Sequence, residues 1–326
     1  MKAKAIRIEK NGGPEVMRMV EVEVPDPGAG EIHVRNTAIG FNFIDTYHRL
    51  GRYPVQLPSG LGTEGAGVVE AVGRGVRDLK VGQHVVYLSR PSSYAELVAI
   101  PADSASVVPA GVSDRIAAAS YLKGMTAEFL LRRTHRLKKG DTVLLYAAAG
   151  GVGLIFLQWA RSIGATVIGV VSTDAKARVA RANGAAHTIV TSKQNVVKRV
   201  RQLTGGKGVD VVYDPVGKDA WNQSLQCLRM FGLMVSFGSA SGLIEPVDIN
   251  GLANLNSPFI TRASLNQYGG TKELRRASSR ALYGLVRKGA IKVQVGKTYP
   301  FTEAGVRQLH TEAEARILTG SALLIP

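Results

Sequence analysis

A chain of 326 residues exceeds what one hydrophobic core usually serves, and its length points to two domains. Its 45% hydrophobic and 20% charged residues are a globular composition, and no apolar run is long enough to cross a bilayer. A disordered chain and a helical membrane protein are thereby excluded, and the cytoplasm is the expected compartment. The single cysteine, Cys227, excludes an internal disulfide and a cysteine-rich metal site.

The balance of 41 basic against 25 acidic residues gives a net charge of +16. Such a chain attracts polyanions in general. Its basic residues are scattered in pairs such as Arg132-Arg133, Lys198-Arg199 and Arg287-Lys288. No aromatics interleave with them as on a surface that stacks bases, so a solvated basic face is the simpler reading.

Along the chain, the start alternates polar and apolar residues and reads as a first strand. Up to about residue 120 the chain carries short β-like runs at 31–35, 67–72 and 83–87, separated by Pro/Gly turn signals. This is a small β-rich domain. The run 142–146 is a buried strand, followed by a Gly-rich turn and an apolar helix over 154–163. Gln158, Arg161 and Ser162 are the polar positions of that helix and predict one solvent face. Gly164 ends it.

Strand 166–171 follows, and Ser172 or Thr173 caps the next helix. Strands at 186–190, 209–213, 233–237 and 259–262 then alternate with helical stripes at 196–203 and 221–228. Alternation over about 130 residues predicts a doubly wound parallel sheet. The tail carries a helix near 272–288, a strand at 291–295 and a helix near 302–318, and does not extend the alternation. Cys227 lies in a helix-like stretch and reads as a buried, inert thiol.

The loop Gly150-Gly151-Val152-Gly153 sits between a strand and a helix. Small residues let backbone approach a pyrophosphate, and the helix start offers free N–H groups and a partial positive charge. Strand 166–171 ends without a carboxylate at its tip, where an NAD enzyme usually holds its ribose. Ser172 is there, with Lys176 one helical turn on to hold a 2′-phosphate. NADPH is the expected cofactor. Asp174 reads as helix-start chemistry.

These residues resemble a known family. The pattern Gly140-Asp141 … Leu144 … Ala148-Ala149-Gly150-Gly151-x-Gly153 with Gln158 and Arg161 is similar to the signature of the quinone oxidoreductase/zeta-crystallin branch of the medium-chain dehydrogenase/reductases. Gly12-Gly13-Pro14-Glu15-Val16, Asn42-Phe43-Ile44-Asp45-Thr46-Tyr47, Leu61-Gly62-Thr63-Glu64, Leu122-Lys123-Gly124-Met125-Thr126, Val235-Ser236-Phe237-Gly238 and Leu323-Leu324-Ile325-Pro326 extend it over essentially the whole chain.

The resemblance implies an α/β fold with two parts. A GroES-like β-rich catalytic domain spans 1–125 and 263–326, and a Rossmann domain with a parallel sheet spans 126–262. It also implies a homodimer. Alcohol dehydrogenases of the same superfamily hold a catalytic zinc through a Gly-His-Glu motif. Here Gly62-Thr63-Glu64 lacks the imidazole, no cysteine lies near Asn42, and no metal is expected. Without a Lewis acid the acceptor must take up hydride readily, as a quinone does.

The resemblance places Asn42 and Tyr53 beside the nicotinamide or the acceptor oxygen, with Asp45 and Tyr47 as neighbouring polar groups. Turn capping by Asn42 and Asp45, and rim packing by the tyrosines, are the alternative roles. It implies cofactor contacts from Asn42, Lys123, Thr126, Phe129, Gly150, Gly151, Val152, Gly153, Ser172, Lys176, Phe237, Gly238, Ser239, Ser264, Leu265 and Arg316. Thr191 stands where related chains carry a tyrosine near the adenosine phosphate, with Lys193 as a substitute cation. Glu64 reads as a structural carboxylate. An NADPH-dependent alkenal or enone reductase is the second enzymatic reading. A single-stranded nucleic-acid-binding protein is the rival from another class.

Overall fold

The computed structural model describes residues 1–89 and 91–326. Its backbone divides into two units. One comprises Met1–Lys123, Arg275–Arg287 and Val293–Pro326; the other comprises Gly124–Leu274 and Lys288–Lys292.

In the first unit, a mostly antiparallel sheet runs in the order Val295–Pro300, Ser321–Ile325, Glu31–Gly40, Glu64–Val72, His84–Leu88, Ala105–Val107. Leu97–Pro101 also pairs with Glu31–Gly40. A smaller sheet joins Arg18–Glu23, Lys2–Ile8 and Ser59–Gly60. The last strand of the chain therefore pairs beside Glu31–Gly40, with Leu323 opposite Gly40. Ile6, Ile8, Ile39, Phe41, Tyr94, Tyr299, Val306 and Leu309 form one core, and Ile32, Val34, Val69, Val85 and Tyr87 another.

The second unit carries a wholly parallel sheet, ordered His187–Val190, Thr166–Val171, Thr142–Tyr146, Val209–Asp214, Leu228–Ser236, Phe259–Arg262. The helix Gly151–Ile163 follows Thr142–Tyr146 and ends at Gly164, as the sequence predicts. Thr173 is the cap of Asp174–Ala182, its Oγ1 accepting from the Lys176 N–H at 3.3 Å. Leu144, Ile168, Val170, Ile189, Val212, Leu225 and Met234 fill the core. Cys227 ends the helix Trp221–Cys227 and is buried there, and burial pushes its thiol up to about 12.

Three expectations change. Gln158 does not share a solvent face with Arg161 and Ser162: it is buried, and they are exposed. The expected strand at 291–295 is absent, and the strand is Val295–Pro300. Both have one cause. Gln158 Nε2 donates to the Lys292 carbonyl at 3.2 Å, and its Oε1 accepts from the Lys292 N–H at 2.8 Å. This two-point bond takes the backbone groups that a strand would have offered a neighbour. Third, the packing boundary falls after Leu274 rather than 262, because Tyr268 stacks on Phe129 at 4.7 Å between ring centroids. Ser264 and Leu265 thus pack with the parallel-sheet unit.

Candidate active site

The parallel-sheet unit gathers its candidate residues at one edge. Strands ending at Tyr146, Val171, Val190 and Ser236 all run the same way. The segments after them therefore emerge together: the Gly150–Gly153 loop, Ser172, Thr191, and Phe237-Gly238-Ser239. This carboxyl edge is where open α/β sheets bind ligands. Gly150 is the N-cap of Gly151–Ile163 and offers no side-chain acceptor to the first-turn N–H groups. A Cβ on Gly153 would stand 2.6 Å from the carbonyl oxygens of Ala147 and Ala148, so only glycine permits this turn. An uncapped helix start with close backbone fits a pyrophosphate.

Lys176 is half-buried in the first turn of Asp174–Ala182, and Ser172 is exposed before it. Asp174 is paired with Lys193, which holds its carboxyl below the usual range. Lys193 is thus engaged with Asp174 in this structure. Of the remaining cofactor candidates, Thr126, Phe129 and Ser239 are buried. Ser264 caps the short helix Leu265–Tyr268. Arg316 is exposed just past the helix Glu303–Glu314, in the other unit.

That other unit brings Asn42, Asp45, Tyr47, Tyr53 and Lys123 together. Asn42 precedes the helix Phe43–Arg49, which starts where the strand Glu31–Gly40 gives out. Its backbone N–H donates to Asp45 Oδ2 at 2.9 Å. Its carboxamide is held at both ends: Nδ2 donates to Glu64 Oε2 at 2.8 Å, and Oδ1 accepts from Lys123 Nζ at 2.9 Å. Lys123 Nζ also donates to the Phe41 carbonyl at 2.9 Å and lies 3.4 Å from Glu64 Oε2. Glu64 Oε1 accepts from the Leu122 N–H at 2.7 Å. A Cβ on Gly40 would come within 2.6 Å of Glu64 Oε2, so the carboxylate needs the glycine opposite it.

Asp45 is wholly buried. Its Oδ1 accepts from Thr63 Oγ1 at 3.0 Å and its Oδ2 from Tyr94 OH at 3.1 Å. Burial raises its carboxyl to about 7, against the pull of those donors and of Lys123. Tyr94 leads further. Arg49 Nη1 donates to His310 Nδ1 at 3.1 Å, so the imidazole carries its proton on Nε2 and donates to Tyr94 OH at 3.2 Å. Arg49 forms a bidentate pair with Glu314 at 2.7 and 2.8 Å. Burial and the Arg49 charge lower His310 to about 3. Asp45 is therefore the capping hub of the helix Phe43–Arg49, the turn role weighed for it above. Tyr47 packs edge-on against Phe43 and Tyr53, the latter at 5.1 Å.

Two family models match the chain: an alcohol dehydrogenase GroES-like domain over residues 28–137 and a zinc-binding dehydrogenase over 151–280. A quinone oxidoreductase of Pseudomonas aeruginosa is 46% identical, over 99% of this chain and all of its own length. The crystal structure of Escherichia coli quinone oxidoreductase complexed with NADPH superposes with a TM-score of 0.97 at 47% identity, covering 99% of this chain and all of that one. The chain belongs to the quinone oxidoreductase branch of the medium-chain dehydrogenase/reductases. A 2-haloacrylate reductase of Burkholderia sp. is also similar, at 44% identity over 98% of both chains.

The zinc implied by one family description does not fit the donor set of this quinone oxidoreductase family member. Asn42, Thr63 and Glu64 supply one carboxylate and no imidazole or thiolate, which is poor zinc ligation. Glu64 already faces a cation, the Lys123 ammonium. Among the described residues no three His, Cys, Asp or Glu side chains converge as metal ligands.

Sequence reasoning missed the Glu64–Lys123–Asn42 cluster, the Tyr94–His310–Arg49–Glu314 chain and the Asp174–Lys193 pair. The resemblance brought in Lys123 as a cofactor contact and left Glu64 without a partner. No local signal links residues 19 to 265 positions apart.

Proposed function

We propose that the chain is a cytoplasmic, NADPH-dependent quinone oxidoreductase that reduces its acceptor by hydride transfer without a metal ion. One observation carries the reading: Glu64 is neutralised by the Lys123 ammonium, at 3.4 Å, among residues that make no zinc site. An acceptor here must take up hydride with no Lewis acid, and a quinone does so because the charge spreads to its far oxygen. The printed names of the 46% identical relative and of the NADPH-bound structure support it.

NADPH, when bound, supplies the hydride. The chain supplies the first-turn N–H groups of Gly151–Ile163 for the pyrophosphate, and Lys176 for the 2′-phosphate. Asn42 and Tyr53 orient the acceptor oxygen. An activated alkene is the second reading, favoured by the 44% identity to a 2-haloacrylate reductase. The test is turnover of NADPH and NADH with 1,4-benzoquinone, 9,10-phenanthrenequinone, an enone and 2-chloroacrylate. Fast NADPH oxidation by the quinones is expected; turnover with the alkenes alone would establish the second reading instead.

We further assign homodimerisation to the exposed edge strand Phe259–Arg262. Phe259, Ile260 and Ile249 line one groove there, and Phe259 is 64% exposed. An apolar sheet edge is a pairing template. Phe259→Asp should sediment as a monomer while the parent chain sediments as a dimer; an unchanged variant would move the interface elsewhere.

A further inference from the structure

The buried cluster around Asn42 has a polarity that follows from donor chemistry alone. A lysine ammonium has only hydrogens to give, so the Asn42 atom facing Lys123 Nζ at 2.9 Å must be Oδ1. An ionised glutamate has only lone pairs to offer, so the atom facing Glu64 Oε2 at 2.8 Å must be Nδ2. The two assignments agree. Turning the carboxamide over would set N–H against N–H at Lys123 and oxygen against oxygen at Glu64. Asn42 therefore has one orientation, where an ordinary asparagine has two.

The backbone is held as well, through the Asn42 N–H on Asp45 Oδ2 at 2.9 Å. Asn42 Nδ2 bears two hydrogens, and Glu64 takes one. The second has no acceptor among the described residues, although Asn42 is 95% buried. A donor of fixed direction, held on a packed frame, is what stabilises an oxygen as it becomes negative, because it needs no reorganisation.

We propose that Glu64 and Lys123 are positioning residues that lock the Asn42 carboxamide so that its second Nδ2–H donates to the acceptor oxygen. The proposal rests on the reading above that Asn42 faces the acceptor. It gives the Glu64–Lys123 pair a task beyond neutralising each other. Lys123 sets the oxygen, Glu64 sets the nitrogen, and neither touches the acceptor. The charge that develops on the acceptor oxygen during hydride uptake then meets a hydrogen already in place.

The test is a double-mutant cycle. Glu64→Gln with Lys123→Met removes both charges together, so no unpaired ion is left buried, and circular dichroism with urea denaturation checks that the fold is retained. This pair of changes should lower kcat with 1,4-benzoquinone by about 100-fold, the low end for loss of one oxyanion donor. The loss should appear in kcat and leave the KM for 1,4-benzoquinone within about threefold, since neither residue touches the acceptor. Asn42→Ala should lower kcat at least as much. Adding the pair of changes to Asn42→Ala should then cost less than about threefold more.

Each other result is decisive. An unchanged kcat in the Glu64→Gln/Lys123→Met enzyme overturns the positioning role. A further 10-fold loss on the Asn42→Ala background overturns it too, since the pair would then act independently of Asn42. An Asn42→Ala enzyme with full kcat removes the underlying reading of Asn42 itself. Glu64→Asp, which keeps the anion but shortens its reach, should fall between the parent and the double variant.

Discussion

The two units carry their candidate site residues on opposite kinds of interior. The parallel-sheet unit buries an apolar core of Leu144, Ile168, Val170, Val212 and Met234, and carries its candidate cofactor residues in the segments that follow its strands. The helix Gly151–Ile163 starts there with first-turn N–H groups that no side chain caps. The GroES-like unit buries polar and charged side chains instead. Arg49, Asp45, Glu64 and His310 are each fully enclosed, and Lys123 nearly so. Side chains that must point in one direction need partners to hold them, and in a low-dielectric interior those partners are strong only when every one is satisfied. Backbone N–H groups can thus be aimed from an apolar interior, whereas a side-chain carboxamide fixed in one orientation, as Asn42 is, needs buried polar partners.

The sharpest way to break this contrast is to remove one charge and one apolar group of similar size. Arg49→Met strips the donors from the Gly12 carbonyl, His310 Nδ1 and Glu314. Loss of one partner from a buried ionic network costs about 3–5 kcal/mol. Leu144→Ala leaves a cavity in the apolar core at about 2–5 kcal/mol. Urea denaturation should show both losses, with only Arg49→Met also lowering kcat with a quinone. Equal effects of the two variants on kcat would mean that the buried charges hold the fold and nothing more.

A smaller effect probes the rim. Lys176→Ala should weaken NADPH by roughly tenfold, about 1.4 kcal/mol, and leave NADH nearly unchanged, as read by fluorescence titration. Asp174 lies close by, held by Lys193, so Lys193→Ala should weaken NADPH in the same direction and by less. Equal losses for both cofactors would move the 2′-phosphate away from Lys176.

The smallest effect concerns pH. Asp45 sits at about 7 in the folded chain, above its unfolded value near 4. Between those values the folded state binds the extra proton, so the contribution of Asp45 to stability falls as pH rises from about 4 to 7. His310, lowered to about 3, acts oppositely: it costs stability as pH falls from about 6.5 toward 3. Asp45→Asn removes the first effect and keeps the second. Relative to the parent, its melting temperature should therefore be several degrees higher at pH 8 than at pH 5. A constant difference across that range would mean that Asp45 is ionised throughout.

Much of the parallel-sheet unit was legible in advance. Its strands at 142–146 and 166–171, the stop at Gly164 and the cap at Thr173 follow from apolar runs, a glycine and a hydroxyl, all local signals. The misreadings there are equally instructive. Gln158 looked like a solvent-facing residue and 291–295 like a strand, because nothing local announces that one carboxamide will bond the backbone of Lys292, 134 residues away. Asn42, Lys123 and Asp45 were singled out through family likeness, and their mutual arrangement was not.

The alternation of strand and helix and the glycine loop were legible in the chain itself, because each depends on residue type and short spacing. Only the tertiary structure decided that Glu64 and Lys123 meet at Asn42, and that Arg49 reaches Asp45 through His310 and Tyr94. Those contacts span 22, 81, 216 and 261 residues. No period or motif encodes them. They exist because burying a charge without a partner is prohibitive, so the fold must bring each one an opposite number from wherever the chain supplies it.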